Sequence, residues 1–193
     1  MPRLRVYTPR GGHIFPNVRR LEGVSALALL VLTACAGARI VDGVLVDEAR
    51  GFKVALLSDG WRRFETEGVE VAFRADPGGQ IAALFVECDR QQTVPLQILS
   101  RRLFFGIGAK RVIEREHVSL NGTEAIHTLL EARHKDTEVM VSSYVAKDAT
   151  CVYDLIYVAD PAGFEERLPE FERFVKGWVL TGKGSELQVP GSK

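Results

Sequence analysis

Asn121-Gly122 stands between two long runs that alternate polar and apolar residues. This constrains the fold more than anything else in the chain. Asn-Gly takes positive φ at both central positions of a two-residue turn, so residues 110–119 and 123–133 are predicted to be adjacent antiparallel strands. The first run is polar along most of its length, as expected of a strand at a sheet edge. After a turn at His134-Lys135-Asp136, residues 138–146 and 150–159 read as two further strands, the second rich in Val, Ile and Tyr.

The upstream sequence repeats the strand signature. Phe52, Val54 and Leu56 alternate with Lys53 and Ala55, Asp59-Gly60 marks a turn, and residues 61–64 continue as a strand. Val69, Val71 and Phe73 alternate with Glu70, Ala72 and Arg74, and Pro77-Gly78-Gly79 breaks the run. Residues 81–88 are almost continuously apolar, as a strand buried on both faces requires.

Two stretches change to a helical period. Pro95 opens a pattern with Leu96, Leu99, Leu103, Phe104 and Ile107 at three- and four-residue spacing, closed by Gly106 and Gly108. Phe104 and Phe105 are adjacent, so one helix face cannot centre both. Asp160-Pro161 precedes a second pattern, with Phe164, Leu168, Phe171, Phe174 and Val175 on one face and Glu165, Glu166, Glu170, Glu172 and Arg173 solvated. Trp178 follows just beyond.

The N-terminal end carries an address. Residues 24–34 form an apolar run of eleven, too short to span a bilayer but of the length of a secretory signal. Arg3, Arg5, Arg10, Arg19 and Arg20 precede it. The run ends Leu32-Thr33-Ala34-Cys35, which resembles a lipobox: Cys35 supplies the thiol for a diacylglyceryl group and later acyl (palmitate) chains. The expected division is a lipoprotein signal at 1–34, a lipidated tether at 35–49 whose second half already packs as a strand, a domain at 50–180 and a disordered tail at 181–193. Loss of residues 1–34 leaves 20 basic and 24 acidic residues, a net charge of −4, which argues against nucleic acid as a partner. Cys88 and Cys151 then remain as an even pair in a compartment that permits disulfides. A bridge between them is expected, with two separate buried thiols as the alternative.

Gly51-Phe52-Lys53-Val54, Asp59-Gly60-Trp61, and Phe171 with Phe174 in the last helix, taken in that order, resemble the PsbP-like family over residues 50–180. That family includes the extrinsic photosystem II protein, a Ran-binding nuclear import factor and many bacterial lipoproteins of unknown function. The segment 151–155, C-V-Y-D-L, is similar to the lipoprotein branch. The resemblance implies an α+β fold, an α/β/α sandwich with a central antiparallel sheet, and action by binding proteins.

No catalytic motif accompanies it. There is no P-loop, no G-x-G-x-x-G and no G-x-S-x-G elbow, and no cofactor or metal is implied. His117 and His127 are placed to face each other across the Asn121-Gly122 turn, but with His134 they lack metal-ligand spacing and read as surface strand residues. Asp154 shares a face with Val152, Ile156 and Val158, so it is either a perturbed acid in a pocket or a structural carboxylate bonded to a turn or an Arg; the second is the expectation. Tyr144, Tyr153 and Tyr157 either line a groove or pack in the core. The expected function is a non-enzymatic protein-binding or assembly module, anchored to a membrane through Cys35, facing the periplasm from the outer membrane and meeting an envelope protein partner. The alternatives are a carrier of a small apolar ligand held between the sheet and the 96–107 helix, and a hydrolase using Asp154 and a His.

Overall fold

The computed structural model describes residues 37–88, 93–134 and 136–181. Cys35 with the apolar stretch before it, and all of the tail beyond Thr181, lie outside these residues. The chain runs β1 (Arg39–Val41), β2 (Val44–Asp47), β3 (Phe52–Ala55), β4 (Trp61–Phe64), β5 (Val71–Ala75), β6 (Ile81–Cys88), α1 (Leu96–Arg102), β7 (Lys110–Leu120), β8 (Thr123–His134), β9 (Thr137–Lys147), β10 (Cys151–Ala159), α2 (Phe164–Lys176) and β11 (Trp178–Leu180).

A seven-stranded sheet has the order β4-β5-β6-β10-β9-β8-β7, and a four-stranded sheet has the order β1-β2-β3-β11. Every pairing is antiparallel. The apolar run 81–88 becomes β6, which lies between β5 and β10. Ala82, Ala83 and Leu84 are all buried there, so both faces are covered. Asn121 (φ 51°) and Gly122 (φ 86°) make the two-residue turn between β7 and β8. The turn is also tied down, because Asn121 Nδ2 donates to the carbonyls of Lys176 (3.0 Å) and Trp178 (2.6 Å).

Alternate residues of β10 point to opposite faces. Tyr153, Leu155 and Tyr157 join Phe73, Leu84, Phe164, Phe171, Phe174, Phe52, Val54 and Trp178 in the main core. Helix α2 and the small sheet therefore cover one face together. On the other face, Leu96 and Leu99 of α1 pack on Ile126, Val145 and Val152, while Phe104 packs on Leu130, Ala132 and Val141. The two helices lie on opposite sides of the antiparallel sheet, which is the α/β/α sandwich.

Three local features depart from the sequence reading. Helix α1 ends at Arg102, not Ile107, because the amides of Phe104 and Phe105 bond the carbonyls of Arg101 and Arg102 in i→i+3 turns. Lys110 Nζ takes the Phe104 carbonyl at 2.9 Å, and Gly106 turns the chain at φ +85°. The second half of the 35–49 tether packs as a strand as expected, but strand structure starts earlier, at Arg39, so that 39–47 form a hairpin of the small sheet with Leu45 and Asp47 buried. Trp178 is fully buried in β11, a three-residue strand too short to show a period. Cys88 and Cys151 are directly opposed in the β6–β10 register and are joined by a disulfide.

Candidate functional site

Asp154 lies on the α1 face, opposite Phe85 of β6 and Val145 of β9. No described residue hydrogen-bonds its carboxylate, so the expected bond to a turn or an Arg is not made. Burial, and then the charge of Glu87, push its pKa up to about 7. It is a perturbed acid, and no described residue hydrogen-bonds it as a catalytic partner would. His127 is on the opposite face, and His117 on Asp154's own face bonds Gln97 (3.3 Å) and Glu124 (3.0 Å) instead. The hydrolase pairing of Asp154 with His117 or His127 is therefore not assembled among the described residues.

The expectation that His117 faces His127 also fails, for a geometric reason. A two-residue turn pairs residues equally far from it, so His127, five after Gly122, opposes Glu116, five before Asn121. His117 opposes Ile126. His127 stands between Glu116 and Ser142: Nδ1 lies 3.5 Å from Glu116 Oε1, and Nε2 is within hydrogen-bond distance of Ser142 Oγ at 3.1 Å. Its ring stacks on Tyr144 at 4.5 Å. Desolvation, then Glu172, Glu116 and Glu114, raise the Tyr144 phenol to about 12.

The sequence contained the signal for this acid–His–Ser row, since the turn sets its register; the Ser on the third strand was not legible. The row does not have the parts of an acyl-transfer centre. Ser142 is 2% exposed and sits in mid-strand between Leu129 and Tyr157, so its backbone is engaged in the sheet and offers no oxyanion hole. No cluster of three or more His, Cys, Asp or Glu among the described residues is arranged to hold a metal ion.

The space between the sheet and α1 is filled by Leu96, Leu99, Leu103 and Phe104, which leaves the carrier reading without a chamber there. Tyr153 and Tyr157 are fully buried and line no groove. A cavity of about 440 Å³ at the far end of the β7–β8–β9 meander is ringed by Lys110, Arg111, Glu131, Arg133 and Glu138. Its charges satisfy one another: Arg111 grips Glu131 with two bonds (3.0 and 2.7 Å) and Arg133 meets Glu138 at 3.0 Å.

The surface that stands out is the β7 edge with the connection leading into it. β7 is eleven residues long, outermost in its sheet, and exposed over most of its length. Lys110, Arg111, Glu114, Arg115 and Glu116 protect most of it from self-pairing, as edge charges do. The exception is the bulge between Val112 and Glu114, where Val112 and Ile113 are 43% and 42% exposed. Phe105, on the α1–β7 connection, is 89% exposed, although Phe104 beside it is buried. The adjacency of the two Phe residues was the sequence signal for this split.

No family model and no curated protein matches the chain. Solved structures do resemble it in fold. The cyanobacterial PsbP (CyanoP) of Synechocystis sp. aligns with a TM-score of 0.54 at 13% identity over 80% of this chain and 98% of that one. LpqN of Mycobacterium tuberculosis, a protein involved in cell envelope biogenesis, aligns with a TM-score of 0.56 at 14% identity over 68% of this chain and 83% of that one. The fold is PsbP-like.

Proposed function

We propose that this chain is a non-enzymatic protein-binding or assembly module of a bacterial envelope, held to the membrane through a lipid on Cys35. Phe105 carries the reading. A Phe left 89% exposed on the connection that leads into an open edge strand, a strand that itself exposes Val112 and Ile113, gives a partner both apolar area and unpaired backbone groups. Envelope residence is supported by the short apolar run before Cys35 and by the fold shared with an envelope-biogenesis protein. No described helix is long and apolar enough to cross a membrane. Ala36 is not the Asp that retains lipoproteins at the inner membrane, which favours the outer membrane, facing the periplasm.

A photo-crosslinking side chain at position 105 of the full-length protein in its native cell is expected to give discrete protein adducts, and the same group at exposed Glu67 none. Equal adducts at both positions, or none at 105, would refute the binding surface. The Cys35→Ala chain is expected to accumulate as unprocessed precursor, and normal maturation would refute the lipid anchor.

A further inference from the structure

From Thr93 to Ile113 the chain contains no Asp or Glu, and it carries Arg101, Arg102, Lys110 and Arg111. Ile98, Phe105, Val112 and Ile113 are exposed in the same stretch. Helix α1 brings part of this charge to the β7 edge. Gln97 Nε2 lies 3.3 Å from His117 Nε2, and Arg101, one turn further along α1, follows on the same stripe. Arg115 is two residues before His117 on β7 and shares its face. Its Nε donates to Thr128 Oγ1 at 3.2 Å. Neither Arg101 nor Arg115 meets a carboxylate among the described residues. Each instead feels the other: burial, and then the charge of Arg101, hold the Arg115 guanidinium below its ordinary range. Lys110, opposite Ala132 on the α1 face, adds a third positive charge there, with its Nζ on the Phe104 carbonyl. Glu114 and Glu116 do not offset this charge locally, because they alternate onto the α2 face, opposite Leu129 and His127.

We infer that the partner of this surface is an acidic extended segment of another protein, which pairs with β7, sets carboxylates against Arg101 and Arg115 and lays an apolar side chain on Phe105. The inference rests on the binding surface proposed above and supplies the partner's chemistry. β7 is outermost in its sheet, so its outer row of N–H and C=O groups is open to an added strand. Two cations held side by side attract a carboxylate more strongly than either alone, and charge-assisted bonds to Arg fix its position. The period of a strand puts the acids at every second position, since the residues between them fall on the side of Glu114 and Glu116. A second copy of this chain does not fit. Antiparallel pairing through β7 would keep both α1 faces on one side of the sheet and set these cations beside their own copies.

The test uses the full-length protein with a photo-crosslinking side chain at position 105, in its native cell. Arg101→Glu with Arg115→Glu is expected to cut the protein adducts at least about tenfold, and the milder Arg101→Gln, Arg115→Gln pair to cut them less. Lys53→Glu with Arg63→Glu makes the same change in net charge on exposed residues of β3 and β4 and is expected to leave the adducts in place. A retained near-ultraviolet aromatic signal shows that the variants are folded. Mass spectrometry of the adduct is expected to find acids at alternate positions beside the crosslinked residue. Changing those acids to Lys in the partner is expected to restore the adducts of the Arg101→Glu, Arg115→Glu chain. Adducts undiminished by that double reversal, equal loss in the β3 and β4 control, or a neutral or basic crosslinked segment would each overturn the acidic partner while leaving position 105 as a protein contact. Adducts on lipid alone, or none, in the parent would remove the protein-binding surface and this inference with it.

Discussion

The face of the main sheet under α2 and the face under α1 are made by alternate residues of the same strands, yet they are built differently. Under α2, Tyr153, Tyr157, Phe164, Phe171 and Trp178 pack ring against ring, with the Tyr157–Phe171 pair stacked at 5.4 Å and Tyr153–Trp178 at 5.0 Å. The small sheet closes this side, and Tyr157 sends its hydroxyl to the Phe164 carbonyl at 2.9 Å. Under α1 a seven-residue helix covers a smaller aliphatic patch, and the same strands place Thr128, Ser143 and Asp154 there. One face has the apolar area that stability needs. The other is the smaller patch, holds Asp154 and leads on to the exposed Phe105, although polar residues are not confined to it, since Ser142 is buried on the α2 side. With the proposed function, stability and recognition would fall on opposite sides of one sheet.

The largest expected effect tests the aromatic face. Phe171→Ala should cost about 3–5 kcal/mol, a large part of the 5–15 kcal/mol typical of a domain. Leu99→Ala on the α1 face should cost nearer about 2 kcal/mol, the low end for such truncations. Urea unfolding of both variants measures the difference, and equal losses would break the comparison.

The disulfide comes next. It closes a loop with a sequence separation of 63, so the Cys88→Ala, Cys151→Ala double variant should lose up to about 4 kcal/mol. Since Cys151 belongs to the aromatic core, the loss should appear as a lower unfolding midpoint with the near-ultraviolet aromatic signal retained. Loss of that signal would mean that the bridge, and not ring packing, holds the face together.

Asp154 sharpens the contrast from the α1 side. Its folded pKa, about 7, stands above the ordinary 3.8, so the folded state holds its proton more tightly than the unfolded state. Its contribution is fully present below about pH 3.8 and is lost as pH rises through 7. Asp154→Asn should therefore flatten that fall and raise stability at pH 8 on the order of 2–4 kcal/mol, with little gain near pH 4. Chemical denaturation at the two pH values reads this directly, and an equal gain at both would remove Asp154 as the titrating group. The smallest effect on stability belongs to the proposed binding surface: Phe105→Ser should stay within about 0.5 kcal/mol of the parent while losing the crosslinked adducts. A clear drop in its melting temperature would make Phe105 part of the core and not of a surface.

The sequence by itself determined the elements whose pattern is local. The Asn121-Gly122 turn, the doubly buried run 81–88, the Phe face of α2 and the polar edge of β7 were legible because the period of a strand or helix is set by neighbouring residues. The end of α1 was not, since i→i+3 turns and the Lys110 bond to the Phe104 carbonyl stop it where the apolar pattern still continues. β11 was not legible either, because it pairs with β3 across more than a hundred residues and has no period of its own. The tertiary structure alone decided which pairs meet. It opposed Cys88 to Cys151 through the β6–β10 register, put Glu116 and not His117 against His127, and left Asp154 without a hydrogen-bond donor among the described residues. Each is a matter of register or of packing between elements distant in the chain, and no local pattern carries that information.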